Sequence, residues 1–524
     1  MASRDKPANA GRPAGGERIE RWSAVTVLVI AVLAAGLFFH ARSYDYVVDD
    51  AYISFRYARN LVEGEGLVFN PGERVEGYTN FLWVMLIALG MKLGLDPAGL
   101  AKMLGFGFAV LTMLLVYWHY GRIYLRRSWE RMLPAVLIAA SPPIAVWAFG
   151  SLETTMFAFL VTGAILTHID SGERTRVPLA SSVLVGLSAI TRPEGLVFAA
   201  ILFADLLINP RLRRRAVVWL IPIALIYVPY FAWRYTYYGW LFPNTFYAKT
   251  GGGWNQFLRG LAYIRNFHFW PGGAVTLLAL VPAVIRRNRK TLLPFFTLLV
   301  WSGYIMVIGG DGLAMYRFLV PVLPICYLLS AEGLLLLLDR PGKAVSVFRG
   351  RPVRMVFAAV CILMVLSRSL GSSERDFVAE DRIRVQGNWV PIGKWLGDYA
   401  KPGETLAVAV AGAIPYYSGL YTIDILGITD PHIAHVEIEQ MGRGKAGHEK
   451  HDIDYVLARR PTYFFHYPFM VKRAVIDRHQ FEESWYPGLA GLPDNQAFLS
   501  MYEPVSEQMA GLRINFFRLR AEFR

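Results

Sequence analysis

Asp49-Asp50-Ala51-Tyr52-Ile53-Ser54-Phe55-Arg56-Tyr57-Ala58-Arg59, running on through Gly77-Tyr78-Thr79-Asn80, is the stretch on which the reading of this chain turns. Its two adjacent carboxylates follow shortly after an apolar run from Ala24 to Phe39, where a membrane surface begins. Ionisable groups beside hydrocarbon are costly, and they are kept for chemistry more often than for stability. If the residues after Asp50 are helical, the two side chains point about 100° apart, so one can cap the helix while the other faces a cavity. Asp50 is the better cap for a helix starting at Ala51, which turns Asp49 toward a substrate. A half-dry carboxylate has its pKa raised by desolvation or lowered by cations such as Arg56 and Arg59, and either change suits a general base or a charge stabiliser.

The composition explains why a membrane surface is expected there. Of 524 residues, 54% are hydrophobic and only 18% charged, with a mean hydropathy of +0.35, too apolar for an ordinary soluble chain. The net charge of +14 does not indicate nucleic acid, because the basic residues sit in short clusters between apolar segments, as in cytoplasmic loops. Cys326 and Cys361 both lie inside apolar runs and form no disulfide or metal pattern. Arg4, Lys6, Arg12, Arg18 and Arg21 precede the first apolar run without a small-residue cleavage site, which reads as a retained signal anchor.

A spanning helix needs about 20 apolar residues. Segments meeting or approaching that length are Ala24 to His40, Leu100 to Tyr120, Met132 to Phe149, Leu152 to Ile169, Val177 to Ile190, Leu196 to Ile208, Val217 to Arg234, Gly273 to Ile285, Leu292 to Gly309, Met315 to Leu338 and Val353 to Leu370. The reading is a membrane all-α protein with about eleven transmembrane helices. Basic clusters at Arg122 to Arg131, Arg211 to Arg215, Arg286 to Lys290 and Arg340 to Arg354 all fall inside only if Phe81 to Leu95 is interfacial or re-entrant. The N-terminus is then cytoplasmic, residues 1–23 form a tail without fixed structure, 24–370 a transmembrane unit with a first outer loop at 41–98, and 371–524 a soluble extracytoplasmic domain. In that last part Glu404 to Val410 and Tyr421 to Leu426 read as strands and Ala413 to Ser418 as a helical turn, an α/β arrangement.

This orientation gathers the conspicuous polar residues on one face. Leu67-Val68-Phe69 and Arg74-Val75 read as extended pieces around the Asn70-Pro71-Gly72 turn, and Glu76, Tyr78 and Asn80 beside them suit a sugar pocket. Glu153 stands at a helix start, as a dipole complement or a site acid. Arg192 either pairs with Glu194 or holds a phosphate in a fork. Lys249, Arg317 and Arg56 are further cations for an anionic lipid head group, and Asp311 is a turn residue or a site acid. Asp424, Asp430, His432, His435, His448, Lys450 and His451 match no metal-site spacing, so no metal site is assigned; a divalent metal requirement stays open. No phosphate loop, nucleophile elbow or dinucleotide fingerprint occurs, so no cofactor is called for and a lipid-borne sugar donor fits better than a nucleotide sugar.

The run from Asp49 through Gly64-Glu65-Gly66-Leu67-Val68-Phe69-Asn70-Pro71-Gly72-Glu73-Arg74-Val75-Glu76-Gly77-Tyr78-Thr79-Asn80 to Trp83 resembles the first outer loop of the AftB-like arabinofuranosyltransferases of actinobacterial cell-wall assembly, which have the GT-C fold. Ser151 to Met156, Thr191 to Gly195, Tyr316 to Pro324 and Ile423 to Asp430 resemble other segments of that group. The resemblance implies a decaprenyl-phosphoryl-arabinose-like donor, a glycan acceptor such as cell-wall arabinan, and a site on the outer face of a bacterial plasma membrane. It also implies a catalytic carboxylate at Asp49 or Asp50 and a second acid at Glu153. It leaves open whether the reaction inverts or retains. Two other readings compete: a GT-C transferase using another lipid-linked sugar, such as mannose, on protein or glycan, and a transporter. A transporter predicts inverted hydropathy repeats, which the sequence lacks.

Overall fold

The computed structural model describes residues 24–524 apart from 125, 127, 174–176, 340–349, 440, 467, 473–488, 490 and 491. The expected N-terminal tail at 1–23 lies outside the described residues.

The chain enters through α1 (Ala24–Arg42) and turns directly into α2 (Asp49–Glu63), which Gly64 ends in a left-handed conformation at φ 90°. A coil from Glu65 to Asn80 leads to α3 (Phe81–Lys92), then to α4 (Pro97–Ile123), whose N-terminus is capped by the Asp96 side chain. The two expected extended pieces at 67–69 and 74–75 do not pair as a hairpin. Their carbonyls are taken by side chains of α2 instead: Asn60 donates to Val68 O and Phe69 O, Arg56 to Phe69 O, and Tyr57 to Val75 O.

The helical body continues with α5 (Leu133–Ala140), α6 (Pro142–Phe149), α7 (Thr154–Glu173), α8 (Leu179–Thr191), α9 (Gly195–Ile208) and α10 (Ala216–Tyr238). After the short α11 (Asn244–Lys249) come α12 (Gly253–His268), α13 (Pro271–Thr276), α14 (Leu280–Arg286), α15 (Arg289–Ile308), α16 (Leu323–Asp339) and α17 (Arg351–Leu366). Each segment expected to span contains a helix, but the one expected from Met315 begins only at Leu323, after a turn in which Met315 and Tyr316 are left-handed, and the spans are not eleven straight rods. Among the described residues five helices are long and apolar enough to cross singly: Ala24–Arg42, Pro97–Ile123, Arg213–Tyr238, Arg289–Ile308 and Arg351–Leu370. Two bent pairs are long and apolar enough only when taken together, as a broken span or a re-entrant turn: Trp129–Ala140 with Pro142–Phe149, bent by 57°, and Gly253–His268 with Pro271–Arg286, bent by 92°. Proline at each break explains the bends, since it lacks the amide that would continue the helical ladder. Phe81–Lys92, Leu179–Thr191 and Gly195–Ile208 are apolar but short, 12 to 14 residues or about 20 Å, less than a hydrocarbon core.

The C-terminal region begins with α18 (Ser373–Arg384), capped by Ser372, and α19 (Val390–Tyr399). β1 (Thr405–Val408) lies parallel to β2 (Tyr421–Asp424) and to β3 (Tyr463–Phe465), with α20 (Ala413–Ser418) in the crossover from β1 to β2. β4 (Met470–Val471), β5 (Tyr502–Met509) and β6 (Leu512–Leu519) complete a six-stranded sheet in which β6 runs antiparallel to β3, β4 and β5. The α/β expectation is therefore met in kind, and both strands read from sequence form, each shorter than expected. This region packs against the first loop: Arg56 donates to the carbonyls of Pro415 and Leu420, and Asn70 pairs with Thr422 through both its amide groups.

Candidate active site

A cavity of about 310 Å³ opens where α2, the 77–80 coil, the starts of α7 and α9, α11 and the turn after α15 converge. Asp50, Glu153, Glu194 and Asp311 bring carboxylates to its wall, and Arg192, Lys249 and Arg317 bring cations. Apolar groups, Ile53, Val197, Ile308, Phe242, Phe246 and Phe318, fill the gaps between them. Two residues of the C-terminal region, Ile428 and Ala446, reach the same wall.

The structure separates the two adjacent aspartates, and in the order opposite to the one expected. Helix α2 starts at Asp49, with Val48 in the capping position and no side-chain cap. Freed from that task, Asp49 turns away from the cavity and accepts hydrogen bonds from the amides of Gly412 (3.0 Å) and Ala413 (2.7 Å). The fit is tight enough that Gly412 has no room for a side chain, whose first carbon would lie 2.1 Å from Asp49 O. Burial pushes the Asp49 carboxyl up to about 7, against the two amide bonds that favour its charged form. Asp50, one residue and about 100° further round the helix, lines the cavity. Among the described residues it makes no hydrogen bond or ion pair with the protein.

The cations divide in the same way. Arg192 is held from both sides, donating to Glu153 and, at 2.8 Å, to Glu194. Glu153 is held in turn by Asn80 (2.7 Å), which exchanges hydrogen bonds with Ser54 of α2. Arg317 forms a fork on Asp311, 2.7 Å from Nε and 3.1 Å from Nη2. Lys249 has no hydrogen-bonding or ion-pair partner among the described residues. Burial pulls its ammonium below the usual lysine range, and Asp50 is the largest opposing influence. An anion entering the cavity thus meets one unengaged ammonium and two guanidiniums already oriented by carboxylates.

Two residues named from sequence for this cavity are not in its wall. Arg56 is 1% exposed, and its guanidinium is spent on Phe69 O, Pro415 O, Leu420 O and Asn70 Oδ1, with its plane over the Phe69 ring. It ties the first loop to the C-terminal region with four of its five N–H donors and lies outside the cavity wall. Glu76 is paired with Arg234 of α10 through both carboxylate oxygens, at 3.0 and 2.7 Å, and faces away from the cavity. Its neighbours Gly77, Tyr78, Thr79 and Asn80 do line it. Sequence reading missed the stacked pair Phe242 and Phe246, whose ring centroids are 4.5 Å apart at the mouth, and Thr245 beside them. The signal was present in Pro243-Asn244-Thr245, a helix start, and the helix it opens carries Lys249 inward. Asn244 pins that start by donating to the carbonyls of Gly427 and Ile428. Among the described residues no three of His, Cys, Asp and Glu converge as a metal ion needs.

With this geometry in view, the solved structure of ArnT from Cupriavidus metallidurans bound to undecaprenyl phosphate aligns over 95% of this chain and 99% of its own, with a TM-score of 0.59 at 12% identity. The apo form of the same protein aligns over 94% and 98%, with a TM-score of 0.58. The chain has the GT-C fold. Two curated relatives are terminal beta-(1->2)-arabinofuranosyltransferases. That of Mycobacterium tuberculosis is 32% identical over 269 residues, 48% of this chain and 41% of the relative. That of Corynebacterium glutamicum is 27% identical over 353 residues, 56% of this chain and 49% of the relative. The aligned part thus spans less than half the length of each of these arabinofuranosyltransferases. A family described only as a domain of unknown function, DUF8728, matches residues 376–512, most of the C-terminal region. The resemblance read from the first loop is therefore found again in sequence over about half of the chain, and the expected GT-C fold in the alignment to ArnT.

Proposed function

We propose that this protein is a membrane glycosyltransferase that moves an arabinofuranosyl residue from a polyprenyl-phosphate donor to a glycan acceptor on the outer face of the plasma membrane. The observation that carries the mechanism is the pairing of an unengaged carboxylate, Asp50, with an unengaged ammonium, Lys249, in one cavity that also holds Arg317 and Arg192. The two curated relatives support arabinose as the sugar, and the likeness to a protein solved with undecaprenyl phosphate supports a lipid phosphate as the carrier. A decaprenyl-phosphoryl-arabinose-like lipid is the donor this implies. The charge distribution among the loops supports a cytoplasmic N-terminus and an extracytoplasmic C-terminal region.

In this reading Lys249 and Arg317 hold the donor phosphate, and Arg192 adds to the positive field from its place between Glu153 and Glu194. Phosphate is already a good leaving group, so the protein's work is positioning and charge stabilisation. The bond between the anomeric carbon and the phosphate oxygen breaks, and the electron pair stays on the phosphate beside Lys249 and Arg317. Asp50 offsets the positive charge growing at the anomeric carbon and receives the proton of the acceptor hydroxyl as the new glycosidic bond forms. Glu153, fixed by Arg192 and Asn80, keeps the guanidinium aimed. Tyr78, Asn80 and Asp311 face the sugar and the acceptor. Domain limits of 24–370 for the catalytic unit and 371–524 for the outer region follow from the same reading.

The test is transfer by the purified protein in lipid nanodiscs, given polyprenyl-phosphoryl-arabinose and an arabinan-like oligosaccharide. Arabinosyl transfer is expected. Transfer from a polyprenyl-phosphoryl-mannose donor, with none from the arabinose donor, would sink the sugar assignment and leave the fold and cavity in place.

A further inference from the structure

The charges of the cavity are delivered by turns in a backbone region that L-residues avoid. Gly309 (φ 83°) and Gly310 (φ 73°) precede Asp311, and glycine adopts this conformation without cost. Met315 (φ 54°) and Tyr316 (φ 48°) precede Arg317, and neither is a glycine. Two consecutive residues with side chains in the left-handed region are strained and persist only where their surroundings over-determine them. Such strain clusters where a functional group must be aimed.

What over-determines this turn is visible. The Met315 amide donates to Glu374 Oε2 at 2.7 Å, and Trp147 Nε1 donates to Ala314 O at 3.2 Å. The Tyr316 ring is held by Tyr263 and Phe267 at 5.0 and 5.3 Å, with the Arg368 guanidinium 4.6 Å from its centroid. The Phe318 amide donates to Tyr263 Oη at 3.3 Å. Glu374 lies in the first turn of α18 and does not line the cavity, so no contact with a ligand explains it. Its bond is the one charge-assisted contact to the strained backbone among those described, and such bonds are about twice as strong as neutral ones.

We propose that Glu374 is a positioning residue. By clamping the Met315 amide it holds the strained Met315–Tyr316 turn, and that turn aims Arg317 at the donor phosphate. The Asp311 fork fixes the head of Arg317, and the Glu374 clamp fixes its root. The proposal rests on the reading of Arg317 as a phosphate contact, and it makes the start of the C-terminal region part of the donor site.

Two measurements test it separately. The first is affinity for undecaprenyl phosphate, measured on the purified full chain. Glu374→Ala is expected to weaken binding about tenfold, while Glu374→Gln, whose amide oxygen accepts the same N–H, stays within about threefold of wild type. Arg317→Ala is the benchmark. Unchanged affinity in Glu374→Ala together with a clear loss in Arg317→Ala overturns the proposal, whereas no loss in Arg317→Ala overturns the phosphate reading itself. The second measurement needs no ligand: thermal unfolding of Met315→Gly, Glu374→Ala and the double variant. Met315→Gly relieves the strain at one of the two positions, so Glu374→Ala is expected to lower the midpoint less alongside Met315→Gly than in the wild-type background. Additive shifts would show that Glu374 does not hold the turn.

Discussion

At the scale of single residues, the two aspartates show how one position along a helix decides which partners a carboxylate meets. Asp49 spends both oxygens on the amides of Gly412 and Ala413, and Asp50 keeps both for the cavity. Because burial lifts the Asp49 carboxyl from 3.8 to about 7, the folded protein binds a proton there more tightly than the unfolded chain does. The stabilisation this gives is fully present below about pH 4 and is lost as pH rises through about 7. The gap in melting temperature between wild type and Asp49→Asn should therefore shift against wild type between pH 5 and pH 8, and a gap that stays flat over that window would show the carboxyl is not held this way. Sequence alone marked the pair as unusual but could not tell its members apart. The deciding contact joins residues more than 360 positions apart, and no local pattern carries it.

At the scale of elements, the sequence showed where helices run more clearly than what their side chains meet. Apolar runs located every helix expected to span, and proline at the breaks explains why two of them bend. The Lys249 helix and its aromatic mouth were hidden in a segment with no strong periodicity. Arg56 looked like a phosphate ligand because a cation beside two acids in a loop has several uses, and only the packed structure shows four of its five donors engaged away from the cavity. Arg56→Lys replaces a planar fork by a single ammonium and leaves buried carbonyls short of a partner, at about 1–3 kcal/mol for each unsatisfied group. The variant should melt several degrees lower yet bind undecaprenyl phosphate with unchanged affinity once folded, as seen by titration well below its melting point. Lys249→Ala should do the reverse, with little change in melting and a clear loss of affinity. Equal affinity losses in both would return Arg56 to the site.

At the scale of the whole molecule, the orientation read from Lys and Arg puts the basic loops and the cavity on opposite sides. Glu522, near the C-terminus, and Arg287, in the turn between α14 and α15, are both exposed, while the native Cys326 and Cys361 are buried. In intact cells a membrane-impermeant maleimide should label Glu522→Cys and spare Arg287→Cys until the membrane is opened; the opposite pattern would invert the molecule. Fold class was legible because hydrocarbon acts on composition over long stretches; sidedness is the expectation that the labelling tests. The site was legible only as a neighbourhood, since its members come from at least six separate stretches of chain and their roles depend on who is already paired.

The central claim is that Asp50, not its neighbour, serves the reaction. Arabinosyl transfer from polyprenyl-phosphoryl-arabinose, measured for Asp50→Asn and Asp49→Asn at a temperature where both are folded, tests it most directly. The expected result is a fall of about 100-fold or more in kcat for Asp50→Asn, the scale of a lost general base, with Asp49→Asn retaining most of its activity. Full activity in Asp50→Asn, or the larger loss in Asp49→Asn, would contradict it.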